Sequence, residues 1–408
     1  MNNISDGLGN CPCSGCGGCI AVCPMSAIEY KLNNNGFLEA TVNNALCINC
    51  TKCKNVCIRF QNKKCLGINL KKGDLYAARS RHKLTIKTCT SGGIAYEIAR
   101  YGFDNGYKVI GVIYNYDKNA AETIVAKNKE DISRFKGSKY LQSITIPCYK
   151  NVIEQAKKDG REKYIIFGTP CQIAGIKMAF KENRLKNELI TIDLFCHGVP
   201  SYLVWNKYLQ WLQYKHKIEN ITEINFRSKV IGWHDFTMSI KDGDKCYSRS
   251  SEYDLFYKVF FDNILLNSAC RKCVVRKEVS MADLRLGDFW GKRYQDNQEG
   301  LSAVLVLSEE GKFLLNKLVD NSLIEIIEKI SVDECTSNQS VNDYKYDDIH
   351  YKAISSLKSS TNLEYDINSY RKLLPIKYQI RINLKEMTAY LPDYFRAVLR
   401  RWYRKRFK

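Results

Sequence analysis

Eight cysteines within residues 13–57 form two runs of one spacing, C-x2-C-x2-C-x3-C. Cys13, Cys16, Cys19 and Cys23 make the first, and Cys47, Cys50, Cys53 and Cys57 the second, each 34 positions beyond its counterpart. A Cys-x2-Cys pair also suits zinc, but the third and fourth cysteines, with Pro24 after Cys23, fit the run that holds cubane clusters in bacterial ferredoxins. In such a run the first three thiolates bind one cube and the fourth reaches the other. The expected ligands are therefore Cys13, Cys16, Cys19 and Cys57 for one 4Fe-4S cluster, and Cys47, Cys50, Cys53 and Cys23 for a second. Gly15, Gly17 and Gly18 let backbone amides approach the inorganic sulfurs. Cys11, beside Pro12, reads as a spare thiol.

Further chemistry lies beyond residue 74. Ser91-Gly92-Gly93 precedes a helical stretch at 94–101, and such a terminus presents free N–H groups suited to a phosphate; on its own the tripeptide is more often just a turn. Residues 137–143, GSKYLQS, form either a surface loop or a cofactor wall, with Tyr140 placed to stack and Lys139 to meet a phosphate. A short apolar strand at 164–167 leads to Thr169, an N-cap residue, and Pro170, a first-turn residue, which puts Cys171 in the first turn of a helix. A second strand, 189–195, ends at Cys196-His197-Gly198. With Cys270 and Cys273 these make four more thiols, the complement of a third cube; a zinc site around Cys270 and Cys273 is the alternative. His197 is either a donor to a cluster sulfur or a buried structural histidine.

The elements that must position these groups begin with a hairpin, 28–32 and 37–42, turning at Asn33-Asn34-Asn35-Gly36. Residues 63–73, with four lysines and two glycines, read as a linker. Strands are expected at 108–114, 164–167, 189–195, 221–226, 236–240, 301–307 and 323–327, and helices at 94–101, 170–182 and 309–319. Their order argues for a mixed α/β or α+β domain rather than a clean parallel sheet. No G-x-G-x-x-G opens any unit, so a Rossmann nicotinamide site has no support.

The chain has 408 residues, room for two or three domains. Eighteen cysteines without an apolar leader or a spanning run point to a soluble protein of a reducing cytoplasm. The formal charge is +20. Three clusters and a flavin dinucleotide, each near −2, would leave about +12. That balance favours an acidic partner, a phosphorylated cofactor or an anionic surface. Nucleic acid is excluded as the expected partner, because no zinc finger, helix-turn-helix or RNA-recognition signature accompanies the charge. The basic tail from 370 carries Phe395, Val398, Leu399 and Trp402 on one helical face, fit for an anionic membrane surface or for packing on its own domain.

TSGG at 90–93, GSKYLQS at 137–143, FGTPCQIAG at 167–175, FCHGVPS at 195–201, the Cys270/Cys273 pair and ADLRLGDFWG at 282–291 together resemble the family of coenzyme F420 hydrogenase/dehydrogenase beta subunits. The resemblance runs from about 74 to 335. It implies a flavin, usually FAD, and a further 4Fe-4S cluster, consistent with Cys171, Cys196, Cys270 and Cys273 as its ligands. It also implies flavin contacts at Ser91, Gly92, Gly93, Ser138, Lys139, Tyr140, Gln142, Thr169 and Gln172, with Lys139 and Tyr140 as the catalytic candidates. The expected fold is thus α+β: a two-cluster ferredoxin-like module fused to a mixed α/β flavin and iron-sulfur domain, with a basic helical C-terminal tail. The expected divisions are 1–68 for the module, 74–185 for the flavin-binding region, 186–345 for the domain with the third cluster, and 346–408 for the tail.

The expected function is a flavin-dependent iron-sulfur oxidoreductase. It would exchange a hydride with coenzyme F420 or a related small molecule and pass single electrons to a ferredoxin or partner protein. The alternatives are an electron-transfer subunit without its own substrate, and, from an FRxKxxGW stretch at 226–233 resembling bacterial relatives, a surface-polysaccharide redox enzyme. The expected location is the cytoplasm, with peripheral attachment at the inner face of the membrane as an extension of the tail reading.

Overall fold

The computed structural model describes residues 2–6, 12–62, 65–339, 342–387, 391–392, 394–396, 398–399 and 401–402. Cys11, Lys63, Lys64 and the basic positions Arg400, Arg404, Lys405, Arg406 and Lys408 lie outside them. The N-terminal module consists of helix α1 (Gly18–Val22), the antiparallel hairpin β1 (Ile28–Leu32) and β2 (Leu38–Val42), and helix α2 (Lys52–Asn55). The hairpin matches the expectation, with Gly36 at positive φ closing the turn. The 34-residue repeat extends to the backbone. Gly15 and Gly17 have φ of 66° and 82°, and their counterparts Asn49 and Thr51 have 54° and 63°. Both cysteine loops thus make the same left-handed turn before the same short helix. Glycine supplies it without cost in the first run, while the second tolerates Asn and Thr there.

Residues 65–73, expected as a free linker, are anchored. Strand β3 (Ile68–Asn69) pairs with residues 279–280, and Leu70 is buried. The larger domain follows with β4 (Asp74–Ser80), α3 (Lys83–Thr88), α4 (Ile94–Asp104), β5 (Lys108–Asn115), β6 (Ala120–Val125), α5 (Lys129–Arg134), α6 (Cys148–Lys158), β7 (Tyr164–Phe167), α7 (Pro170–Glu182) and β8 (Leu189–Leu194). After α8 (Tyr202–His216) a separate three-stranded sheet is inserted, β9 (Glu223–Ser228), β10 (Thr237–Asp242) and β11 (Lys245–Ser250), followed by α9 (Leu255–Phe261). The chain returns through α10 (Val274–Lys277), β12 (Val279–Ser280), β13 (Leu284–Asp288), β14 (Ser302–Val306), α11 (Glu309–Asp320), β15 (Ile324–Ile330) and α12 (Val332–Ser337).

The main sheet has eight strands in the order β15-β4-β14-β13-β8-β7-β5-β6. Its centre, β13-β8-β7-β5, is parallel, and the flanking strands are antiparallel. This is the mixed sheet expected from the sequence. The parallel strands read as buried, mostly apolar runs (Tyr164-Ile165-Ile166, and Ile190 and Ile192 about the buried Thr191) because helices cover both faces. Their carboxyl ends point together to one edge of the sheet, where open α/β sheets bind ligands.

Helices α13 (Asp348–Ser359) and α14 (Leu363–Leu373) do not form a detached tail. Ala353, Leu357, Leu363, Ile367 and Tyr370 enter the core built on α8 and α9. Asp366, 2% exposed, accepts from Lys207 at 2.7 Å and is also bonded by Ser356 and Ser360. The division expected at 346 therefore falls inside a packed unit, and the projecting part begins near α15 (Ile376–Met387).

The module docks on α6 and α7 through one continuous apolar core containing Ile20, Val22, Val56, Val152, Ile173 and Ile176. The closest approach is between α1 and α7. A methyl group on Gly18 would lie 2.9 Å from the Gly175 carbonyl oxygen, and one on Gly175 would lie 3.0 Å from Cys16 Sγ. Two glycines let the module's first cysteine loop sit directly on α7.

Candidate redox site

The thiols expected to bind the first cluster are neighbours. Burial pushes the Cys16 and Cys19 thiols well up; Cys171 and then Cys57 push Cys16 further, and Cys16, Cys13 and Cys57 push Cys19 further. The second set surrounds a small cavity lined by Cys23, Cys47, Cys50 and Cys53. Burial pushes the Cys53 thiol up, and Cys50 and Cys23 add to it. Cys23 thus stands with Cys47, Cys50 and Cys53 around that cavity, and Cys57 stands near Cys13, Cys16 and Cys19.

The four scattered cysteines also converge. Burial pushes Cys196 up to about 12, followed by repulsion from Cys171 and Cys273, and Cys270 lies within the influence of all three. Cys273 is pushed up to about 11 by burial and then by Cys171. Four thiols this close together are the donor set of a 4Fe-4S cube, whose irons would hold them as thiolates. The residue types and their grouping are those that three such cubes would require. Two positions are set by Arg285, fully buried in the ADLRLGDFWG stretch. Its Nε donates to Asp193 Oδ1 at 2.7 Å, while its Nη1 and Nη2 donate to the Arg276 and Val275 carbonyls at 2.8 Å. Arg276 in turn donates to the His197 carbonyl at 2.9 Å. The loop after Cys273 and the loop after Cys196 are so tied to one buried ion pair. The His197 ring is buried against Phe260, 4.9 Å between centroids, and burial lowers its pKa.

A cavity of about 270 Å³ opens at the carboxyl edge of the sheet. Phe167 at the end of β7, Gly168 after it, Leu194 at the end of β8, and Leu286, Gly287 and Asp288 in β13 form its floor. Its walls are the 89–96 loop and helix start and the 135–139 loop. Thr90 Oγ1 accepts from Ser138 N at 3.0 Å, joining the two walls. Of the expected flavin contacts, Ser91, Gly93, Ser138, Lys139, Thr169 and Gln172 line this cavity. Gly92 does not. Its amide donates to Ser302 Oγ at 3.1 Å, and a methyl group there would meet the Ala78 carbonyl at 2.7 Å. Tyr140 is turned away into an aromatic cluster with Phe226, Tyr257 and Phe260.

Gln142 has a different role from the one expected. Its Oε1 accepts from Leu38 N at 2.7 Å, and its Nε2 donates to Ser14 O at 3.1 Å and Leu38 O at 3.2 Å, so it clamps the module to the domain. Gln142→Ala leaves buried backbone groups unpaired and is expected to cost about 1–3 kcal/mol, read as a lower melting temperature. Flavin affinity should not change; a loss of affinity at unchanged stability would contradict this placement.

Sequence reasoning missed several lining groups. Lys136 lies 4.0 Å from the centre of the Tyr96 ring, both at the cavity wall. Asp288 receives Trp233 Nε1 at 2.7 Å and pairs with the buried Arg227. Cys89 lines the cavity, its thiol pushed up to about 11 by burial. Lys229 Nζ donates to the carbonyls of Ser91, at 3.0 Å, and of Ile86 and Glu299. The FRxKxxGW stretch is thus the buttress of the 89–93 loop. Repeated basic and aromatic residues at 134–140 were the available signal for Lys136; Asp288 and Arg227 meet only through the tertiary fold.

Helix α7 connects everything. Thr169 caps it, and Gln172 returns a bond to Thr169 N at 3.0 Å, completing the capping box expected in part from Thr169 and Pro170. Thr169 lines the cavity, its Oγ1 lies 3.2 Å from Cys171 Sγ, and Cys171 belongs to the scattered set. One turn later Gly175 rests on Cys16. Cavity, scattered thiols and first cysteine run therefore share the first two turns of a single helix.

Three family models match the chain. A 4Fe-4S dicluster domain covers 12–59, and the N-terminal and C-terminal parts of the coenzyme F420 hydrogenase/dehydrogenase beta subunit cover 75–147 and 161–331. An uncharacterised protein of Methanocaldococcus jannaschii is 22% identical over 356 residues, covering 79% of this chain and 90% of that protein. The coenzyme F420-dependent sulfite reductase of the same organism is 25% identical over 329 residues, covering 78% of this chain and 48% of that protein. One subunit of the F420H2 dehydrogenase of Methanosarcina mazei is 24% identical over 195 residues, 45% of this chain and 53% of that protein. The aligned region thus spans about half the length of the latter two relatives. A chain of the F420-reducing NiFe hydrogenase complex from Methanosarcina barkeri superposes with a TM-score of 0.45 at 17% identity, over 75% of this chain and 91% of that one.

Proposed function

The chain belongs to the family of coenzyme F420 hydrogenase/dehydrogenase beta subunits, and from that premise we propose that it is a flavin-dependent iron-sulfur oxidoreductase exchanging a hydride with a deazaflavin or related small molecule. The family and the dicluster module carry the coarser statement, redox electron transfer through 4Fe-4S clusters. The single observation supporting the finer one is α7, whose first two turns touch the cavity, the scattered thiols and the first cysteine run. A flavin would supply the conversion between paired and single electrons, and cubes held by Cys171/Cys196/Cys270/Cys273, Cys13/Cys16/Cys19/Cys57 and Cys47/Cys50/Cys53/Cys23 would supply the one-electron relay.

The chain's own residues bind and exclude. The amides opening α4, an eleven-residue helix behind Gly93, face the cavity with Lys136 and Lys139 and suit a flavin phosphate. Phe135, Phe167, Leu194 and Leu286 give the apolar walls that keep water from a ring system. Lys139 Nζ is held by the Arg134 and Lys136 carbonyls at 2.7 and 2.8 Å, and burial lowers its pKa to about 7. It is an ammonium below that value and a neutral amine above it. Flavin affinity is therefore expected to weaken as pH rises through about 7, and Lys139→Met should flatten the profile. A titration that is equally steep in both proteins would remove Lys139 from the phosphate site.

The test of the function is anaerobic turnover of the isolated chain with reduced deazaflavin and a viologen dye. Turnover supports the enzyme; silence from protein with its full flavin and iron supports an electron-transfer subunit that needs a partner to bring the substrate. The names of two relatives, a sulfite reductase and a dehydrogenase component, fit service to a larger redox assembly. A second reading, attachment to an anionic membrane surface, rests on residues 394–402. There Phe395, Leu399 and Trp402 are more than half exposed, while Arg396 stacks on Tyr253 and Arg401 bonds the Ile231 carbonyl at 2.6 Å. No helix among the described residues is long and apolar enough to cross a membrane.

A further inference from the structure

The surface over the scattered thiols is open and positively charged. A cleft of about 640 Å³ is lined by Cys171, Cys270 and Cys273 together with Arg59, Arg271, Lys272 and Lys345, and both lysines are exposed. No Asp or Glu is among the described residues lining it. Asp343, close by in sequence, is already paired with Lys277 at 2.6 Å and Arg276 at 3.6 Å. Tyr344 and Tyr346, rings 5.9 Å apart, make one wall, and the Arg271 guanidinium lies 5.4 Å from the Tyr346 ring. Pro12, Ser14 and Ile58, from the module, make the opposite wall.

The far end of the relay has a different surface. Around Cys50, itself exposed, stand Met25, Leu46 and Ile48, each 45–59% exposed, with asparagines at 43, 44 and 49. An apolar, weakly charged patch suits a partner that stays bound, whereas a ring of uncompensated cations raises the encounter rate of an acidic molecule that arrives and leaves. The two ends of the chain's electron path are therefore built for different company.

We propose that this cationic cleft is a second electron port, the docking site of a small acidic one-electron carrier protein that exchanges electrons at the thiol set nearest the cavity without passing through the N-terminal module. This rests on the reading of that set as a cluster site. In each exchange one electron leaves the reduced carrier and reduces the group held by Cys171, Cys196, Cys270 and Cys273, or the reverse; no bond forms and no proton moves. The cleft favours a protein over a small anion because its cations come from three separate segments, at 59, 271–272 and 345, and both lysines stand exposed. With ports at the middle and the end, the chain would act as a junction between two one-electron partners and one hydride partner.

The test uses the complete holoprotein and oxidised plant-type 2Fe-2S ferredoxin as the acidic probe, with binding measured by titration calorimetry at low and high salt. Lys272→Glu/Lys345→Glu, at two exposed side chains, is expected to weaken binding about tenfold or more, and added salt should do the same to the wild type. Lys272→Ala/Lys345→Ala, a milder change, should give a smaller loss in the same direction. Binding that is indifferent to both variants, binding lost instead on replacing Ile48 with Glu, or binding of phosphate with no binding of ferredoxin would each overturn the proposal. Iron and flavin content measured on the same samples separate this outcome from a failure of the cluster assignment. If the scattered thiols hold no iron, the reading beneath the port fails, whereas full iron with salt-insensitive ferredoxin binding fails the port alone.

Discussion

Cys270→Ser is expected to remove about four irons of about twelve, with the flavin and the irons of the cysteine runs retained. The scattered set is built from α7, the 196–198 loop and the 270–273 loop, none of which belongs to the module. The module's eight thiols are carried by its own two runs; Cys16 has Cys171 of the scattered set as its strongest charged neighbour, whereas Cys53 has Cys50. The variant should therefore still take a hydride into the cavity, since Thr169, Gln172 and the 135–139 loop are untouched, but viologen reduction through the module should fall to background. Iron by chemical assay, flavin by absorbance and the two half-reactions by stopped flow separate the effects. Loss of all iron would show that the module folds only around the third set. Full viologen activity would show that electrons bypass it.

The second large effect is on stability. Asp193 and Arg285 are 2% and 0% exposed and form a two-point ion pair in the centre of the sheet, with Ser280 completing the carboxylate's bonds at 2.7 Å. Arg285→Leu leaves Asp193 buried without its cation and frees the Val275 and Arg276 carbonyls. The expected cost is about 3–5 kcal/mol. It should appear as a marked drop in melting temperature together with loss of the irons bound by Cys270 and Cys273, because the loop that carries them loses its anchor. Asp193→Leu/Arg285→Leu removes both charges and should recover part of the stability but not the iron. Equal iron content in the single variant and the wild type would mean that this pair supports the sheet alone.

The parts legible in the sequence are those fixed by neighbours in the chain. The cysteine runs, the Asn33–Gly36 turn and the Thr169-Pro170 cap depend on local backbone, and the structure has them where spacing puts them. The 34-residue repeat proved deeper than its cysteines, since Asn49 and Thr51 adopt the left-handed turn that Gly15 and Gly17 adopt without cost. What the sequence hid is decided by packing between distant segments. Gln142 lies in a motif that resembles a flavin contact, yet its amide is taken by Ser14 and Leu38, more than a hundred residues away. Tyr140 turns from the cavity because the inserted sheet and α9 offer it Phe226, Tyr257 and Phe260. The lysine-rich stretch before residue 74 looks like a linker because two residues of strand pairing with Val279 and Ser280 leave no periodic signal. Helices α13 and α14 carry charged faces, and it is the burial of Ala353, Leu357, Leu363, Ile367 and Tyr370 together with the Lys207–Asp366 pair that makes them part of the core.

The proposed relay, one cavity and two sets of four thiols meeting on α7 with a third set beyond them in the module, is tested most directly by the cofactor content of the full chain purified without oxygen. About twelve irons and one tightly held flavin per chain are expected. Protein that is folded and carries about eight irons and no flavin would contradict the relay, leaving a ferredoxin module fused to a domain with some other use.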